Sequence, residues 1–272
     1  MKKRSSNICL VDIISIIITL VILLFMAAII LSIIIGGAPH LKEALASEEI
    51  RFAIGLSLYT STISTVICIG LAIPCGYTLS RKKLPYTSMM QGIVELPLSL
   101  PYLVLGMALL ILFSTPVGKA LRDMGFPVVF DTNGIIIAQL TVNLPFAIRI
   151  IRTEMAKIDP RTDFLAGTLG ASKNQRFWTI TLPACRVGIL LAGVLVWARA
   201  LGEFGATLML VGVTRMKTET LPASIFLNVS TGETGKAMAA AMIMLIFSAI
   251  ALGITSMCNN KLKLRSRMKE FM

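Results

Sequence analysis

Long stretches without a single acidic or basic side chain recur from one end of this sequence to the other. Ile13 to Pro39, Phe52 to Ser80, Leu96 to Gly118, Thr132 to Ile148 and Ala237 to Asn260 contain no Asp, Glu, Lys or Arg. A helix that crosses a hydrocarbon core of about 30 Å needs roughly 20 mainly apolar residues. All but Thr132 to Ile148, which falls slightly short, meet that length. A sixth stretch, Val187 to Val213, is interrupted only by Arg199 and Glu203. Backbone in lipid must satisfy its own hydrogen bonds, and the alternating ten-residue segments of a barrel are not seen. The chain therefore reads as an all-α integral membrane protein with about six transmembrane helices. A soluble fold tolerates one such buried helix, not six in succession.

The charged residues that remain are unevenly shared between the two sides. They make up 15% of the 272 residues, against roughly 25% in soluble domains. The formal charge of +12 invites a nucleic-acid reading, but the placement of the bases argues for topology instead. Lys2, Lys3 and Arg4, then Arg81, Lys82 and Lys83, then seven bases between Arg149 and Arg186, then the tail from Lys261 to Lys269 all fall on one side. Lys42, Arg51, Lys119, Arg122, Arg215, Lys217 and Lys236 fall on the other, and Arg199 lies within a span. A basic excess marks cytoplasmic loops, so both termini are expected in the cytoplasm of a prokaryotic cell. The basic start before Ile13 reads as a retained first span rather than a signal peptide, because the apolar run is too long.

The chain divides into residues 1–51 (tail, first span, outer loop), a core of five spans over 52–257 and a basic tail over 258–272. His40 to Glu49 is expected to form a short interfacial helix. Ser57, Thr60, Ser61, Thr62, Ser64 and Thr65 crowd the second span, where small hydroxyls permit either close helix approach or a polar path. Pro97 and Pro101 should kink or interrupt the third span. Part of Thr214 to Lys236 is apolar enough to dip into the membrane. Five scattered cysteines and a single histidine, His40, offer no metal cluster, and no phosphate-binding Gly-rich loop is present. Neither cofactor nor metal binding is expected of this chain.

The connector from Arg149 to Arg186 is too long for a simple turn and should be structured. Asp159-Pro160 reads as a helix start, Leu165 and Leu169 share a face, and Gly170 reads as the stop. Ser172 begins a second start, followed by the apolar Phe177, Trp178 and Ile180. Such a loop helix either lies on the membrane or docks to a partner.

This loop resembles the Glu-Ala-Ala loop of ATP-binding-cassette importer permeases. Gly170, Ile180, Leu182 and Pro183 match its spacing and Ala166 matches its second Ala, while Phe164 and Leu165 replace the Glu and the first Ala. Asp163 lies one residue early for the acid. The run Trp197-Ala-Arg-Ala-Leu-Gly202-Glu203-Phe204-Gly205 is similar to the molybdate, tungstate and sulfate branch of those permeases. The resemblance spans roughly Phe52 to Ile254. It implies a coupling helix in which Asp159, Asp163, Leu165, Ala166, Leu169, Gly170, Ile180, Leu182 and Pro183 engage an ATPase. It further implies a permease homodimer, two cytoplasmic ATP-binding subunits that hold ATP and Mg, an extracytoplasmic oxyanion-binding protein, and import of molybdate or tungstate, with sulfate or thiosulfate as the alternative. No bond chemistry is expected of this subunit.

Read from the residues alone, Arg199 and Glu203 stand four apart, the spacing of an intramembrane ion pair on one helix face. An ionisable residue at that depth is paired or faces water, and marks function by default. A structural pair and a place in an anion path or gate both remain open, with Gly202, Phe204 and Gly205 shaping the backbone beside them. Glu95 reaches either Arg199 or, more simply, the cytoplasmic edge beside Gln91. A secondary transporter or channel without an ATPase is the competing function class.

Overall fold

The computed structural model describes residues 10–81 and 85–270, with side chains for 11–81 and 85–257. The basic residues Lys2, Lys3, Arg4, Lys82 and Lys83 lie outside the described residues, as do the side chains of the basic tail. Within the described residues the chain is helical throughout, without strands.

The first span, α1 (Leu10–Gly37), has no buried residue in its apolar window and offers its whole circumference to lipid. It touches the bundle where small residues permit it. A Cβ on Gly37 would stand 2.6 Å from the Met238 carbonyl oxygen, so the glycine sets how closely α1 approaches the last helix. After a 3-10 turn, α2 (Leu41–Ala46) supplies the expected short helix, with Ala44 buried.

The centre is the pair α3 (Glu48–Arg81) and α7 (Thr132–Ala156), crossed by α10 (Leu182–Leu201). The α3 hydroxyls explain the close fit: Ser57, Thr60, Ser61, Ser64 and Thr65 are buried. Thr60, Ser61 and Ser64 bond carbonyls of their own helix. Small side chains that satisfy their own polarity let two backbones approach without leaving a donor in lipid. Cys68, Ala72, Ala147, Ile151, Ala192 and Val196 fill the space between the three helices. α13 (Thr234–Glu270) closes the bundle against α1 and α12 (Leu221–Ser230). α12 lies in the segment expected to dip into the membrane, and Ser57 Oγ accepts the Leu221 N–H that begins it (2.7 Å).

Two spans differ from uninterrupted rods. The third is broken into α4 (Thr87–Glu95) and α5 (Tyr102–Phe113), which meet at 109°. Pro97 lies in a 3-10 turn over Leu96–Ser99 that continues α4, and the break falls at Pro101, whose ring holds Leu100 before it in extended backbone (ψ 142°). The stretch Val187 to Val213 is not one helix either: α10 stops at Leu201, and α11 (Gly205–Val211) starts afresh. By length and composition the described helices supply five spans, or six with the bent pair counted as one. α6 (Pro116–Asp123) lies between α5 and α7 in the chain.

The connector is shorter than the run of charges suggests. α7 continues to Ala156, with Ile151 and Met155 buried on its inner face, Arg149 exposed and Arg152 half-buried. Helix resumes at Lys173 and runs to Leu201. Over Phe177–Thr181 it widens into a π turn, in which Leu182 N–H reaches back five residues to Phe177 O. Pro183 follows immediately and has no N–H to give an α-helical partner, which accounts for a widened turn at this point.

Candidate translocation site and coupling loop

Three helix ends converge beside the middle of α7. Asn143 is the midpoint of α7, about 17 Å and 20 Å of helix rise from its two ends. Beside it, α10 ends at Leu201, α5 begins at Tyr102 and α11 begins at Gly205. Arg199 stands in this junction. Its Nε donates to Asn143 Oδ1 (3.2 Å), its Nη2 donates to the Tyr102 hydroxyl (2.7 Å), and its guanidinium lies 4.6 Å from the Phe146 ring centroid. Asn143 in turn donates to Gln139 O (2.8 Å), and Gln139 Nε2 donates to Ala200 O (3.0 Å) and Thr60 Oγ1 (3.3 Å). All of these acceptors are neutral. Among the described residues no carboxylate lies within ion-pair distance of Arg199.

The expected Arg199–Glu203 pair is therefore not formed. Glu203 is buried and turned to the start of α11, where its carboxylate accepts from Ala206 N (2.7 Å), Thr207 N (3.2 Å) and the Thr207 hydroxyl. The four-residue rule presumes one continuous helix, and this helix ends two residues before Glu203. A carboxylate at fresh helical amides satisfies donors that have no intrahelical partner and meets the positive end of the helix dipole.

The glycines beside it set the close contact of α5 and α11. A Cβ on Gly205 would stand 3.1 Å from Tyr102 Cβ, and one on Gly106 would stand 2.5 Å from Ala206 O. Gly202, by contrast, has no atom nearer than 3.8 Å and serves the turn. Phe204 meets Phe226 of α12, ring centroids 5.5 Å apart. Trp197 Nε1 donates to Thr62 Oγ1 (3.2 Å), a contact the sequence reading missed. Glu95 pairs with Arg152 near the end of α7 (3.1 Å), not with Arg199.

The connector folds as its signals indicate. Asp159 Oδ1 accepts from Arg161 N (2.9 Å) and opens α8 (Pro160–Thr168). The helix ends in a left-handed Gly170 (φ +87°), with Gly170 N donating to Gly167 O (3.1 Å) and Ala171 N to Ala166 O (3.0 Å). This pair of bonds is the Schellman closure, and its left-handed position accounts for the glycine at 170. Ser172 and Gln175 form a reciprocal capping box that opens α9 (Lys173–Arg176). Asp163 is spent within the loop, on Arg176 (2.9 Å), which locks α8 to α9. Phe164, Leu165 and Leu169 are 70%, 60% and 88% exposed, an apolar face that none of the described residues covers. Ile180 and Leu182 are half-buried, and Pro183 is exposed.

Together these features define a polytopic α-helical membrane protein whose helices break around a cation beside the middle of α7, with an ordered loop helix at the end where α7 and α10 meet. The chain belongs to the family of binding-protein-dependent transport system inner membrane components, whose pattern it matches over residues 69–264. It is 33% identical over 207 residues to the molybdenum transport system permease protein ModB of Escherichia coli (strain K12), covering 72% of this chain and 90% of that one. It is 33% identical over 169 residues to the molybdate/tungstate transport system permease protein WtpB of Pyrococcus furiosus, 62% of each chain. The sulfate transport system permease protein CysW of Synechocystis is 28% identical over 79% of each chain. In fold, the chain matches a bacterial ABC transporter involved in the import of the acidic polysaccharide alginate, with a TM-score of 0.70 over 92% of both chains at 21% identity.

Proposed function

We propose that this chain is the permease subunit of an ATP-driven importer for molybdate or tungstate, and that Arg199 contacts the anion at the middle of the membrane. The single observation that carries the site is a mid-depth guanidinium held only by neutral acceptors. A charge buried in lipid is costly unless it is compensated. Asn143, Tyr102 and Phe146 orient Arg199 without neutralising it, so its charge is left for a passing oxyanion. The similarity to ModB and WtpB supports molybdate and tungstate, and the lower identity to CysW leaves sulfate as the second reading.

In this reading two copies of the chain enclose the path, and the α8 end faces the cytoplasm. Two ATP-binding subunits, holding ATP and Mg, receive the exposed Leu165–Leu169 face, and an extracytoplasmic binding protein delivers the oxyanion to the opposite end. The chain itself makes and breaks no bonds. ATP-dependent uptake by the reconstituted complex, with molybdate, tungstate and sulfate in competition, tests the assignment. Uptake blocked by tungstate but not by sulfate is expected. Equal competition by sulfate shifts the reading to the sulfate importers, and uptake without ATP overturns it. Single cysteines at Ser88 and Asp131, in a cysteine-free background, should label from opposite sides of the membrane.

A further inference from the structure

At the α8 end of the molecule a cavity of about 440 Å³ opens between the last turn of α3 and the connector. Its lining includes Arg81, Lys173 and Arg176, with Asp163 as the carboxylate and Tyr77, Ser80 and Thr181 completing the wall. The charges do not balance. Arg176 already answers Asp163, donating through Nη1 to its carboxylate (2.9 Å) and its carbonyl (2.9 Å). Arg81 makes its recorded bond to a neutral acceptor, Ile158 O (3.0 Å). The nearby Glu154 is taken by Lys157. Lys173 is exposed and has no ion pair among the described residues. The Nε atoms of Arg81 and Arg176 are both buried without a partner. Each guanidinium carries five donors, so the cavity wall holds far more donor capacity than the described residues consume.

We propose that this cavity binds a phosphate-class anion, either free or as the headgroup of an anionic lipid at the membrane surface, and that the anion clamps the connector to the core. Two positive charges that no described residue answers, around one half-open cavity, favour a compact dianion or a phosphodiester over a neutral ligand. Guanidinium forks and a lysine ammonium are the donors that suit tetrahedral oxyanions. The bound group would bridge three elements with no other shared charge: α3 through Arg81, the π-turn segment through Thr181, and the α8–α9 unit through Lys173 and Arg176. The site lies at the opposite end of α10 from Arg199, so it is separate from the path, and it belongs to this chain whether or not an ATPase is docked.

The test uses the full chain purified in neutral detergent, with unfolding temperature followed as inorganic phosphate replaces chloride at constant ionic strength. A second arm compares nanodiscs of phosphatidylcholine with discs containing phosphatidylglycerol, and native mass spectrometry counts retained lipid. A ligand that binds only the folded state raises the unfolding temperature in a saturable way. Saturable stabilisation by phosphate in detergent identifies a free anion; stabilisation and retention of phosphatidylglycerol alone identify a headgroup. In whichever arm responds, Lys173→Glu should weaken the apparent affinity about tenfold and Lys173→Ala about fivefold, with Lys173→Arg restoring it. No response in either arm overturns the proposal, as does a response that Lys173→Glu leaves unchanged. If Lys173→Glu instead lowers ATPase co-purification while phosphate and phosphatidylglycerol do nothing, the cavity serves a partner's carboxylate and the anion site is likewise overturned.

Discussion

The Tyr102 hydroxyl accepts a 2.7 Å hydrogen bond from Arg199, joining the first residue of α5 to the last turn of α10 across 97 positions of sequence. Both partners stand at helix ends created by breaks, one at Pro101 and one at Gly202. The breaks bring the cation beside the middle of α7 and hold it there without a counter-charge among the described residues.

Removing the hydroxyl tests whether position or charge matters at this junction. Tyr102→Phe keeps the ring and leaves Arg199 with Asn143 and Phe146. Because Tyr102 is partly exposed, the loss should be about 1 kcal/mol of stability, with uptake reduced several-fold. Arg199→Met removes the charge and should abolish uptake while complex assembly persists. Equal uptake by Arg199→Met and the unmodified complex removes Arg199 from the path. Uptake assays on proteoliposomes, run beside size-exclusion profiles, separate the two effects.

Glu203 and Arg199 should behave as independent sites. Glu203→Ala strips the acceptor from the Ala206 and Thr207 amides and should cost about 1–2 kcal/mol, the usual range for losing a helix cap. Combining it with Arg199→Met should give nearly the sum of the single effects, with a coupling under about 0.5 kcal/mol. A coupling of several times that size in thermal unfolding would restore the ion pair expected from their spacing.

The spacing misled for a physical reason. Periodicity gives neighbours only while one helix continues, and Gly202, Glu203 and Gly205 mark the place where it stops. Glu203 stands two residues before Gly205-Ala206-Thr207, where an acid can reach the first free amides of a new helix, and that was legible in principle. The apolar runs showed the spans, and Pro97 and Pro101 showed a break. Asp159, Gly170 and Ser172 showed the loop helices, because caps and left-handed glycines act through their own few residues. The contacts of Arg199 with Tyr102 and Phe146 could not be read in this way, since they depend on how α5, α7 and α10 pack. The continuation of α7 past Ile148 was hidden too: Arg149 and Arg152 read as the end of an apolar span, while Ile151 and Met155 stay buried in the core shared with α3.

Glycine substitutions should rank by the space that each Cβ meets. Gly106→Ala drives a methyl to 2.5 Å from the Ala206 backbone and should destabilise by about 1–3 kcal/mol. Gly205→Ala meets Tyr102 Cβ at 3.1 Å, should be milder, and should perturb uptake because it displaces the Tyr102 backbone. Gly55→Ala meets nothing within 4 Å and should be neutral or slightly stabilising within α3. A different rank order of unfolding temperatures would mean that α5 and α11 are not packed as described.

The exposed face of α8 carries the last prediction. Leu165 and Leu169 are 60% and 88% exposed, so replacing them with Ala removes almost no packing from this chain. Their loss should leave the unfolding temperature of the purified permease within about 0.5 kcal/mol of its original stability. Gly170 differs in kind: a Cβ there meets nothing within 4 Å, but φ is +87°. Gly170→Val therefore strains the backbone without a clash, by about 1–2 kcal/mol or more for a β-branched residue, and reorients α8 relative to α9. If the face docks an ATPase, the Leu165→Ala, Leu169→Ala double variant should lower ATPase co-purification at unchanged permease stability. Gly170→Val should retain some ATPase yet uncouple ATP turnover from uptake. Subunit stoichiometry, ATP hydrolysis and uptake measured on the same preparations distinguish these outcomes. Should all three match the unmodified complex in both variants, α8 is a membrane-lying helix and not the transmission element.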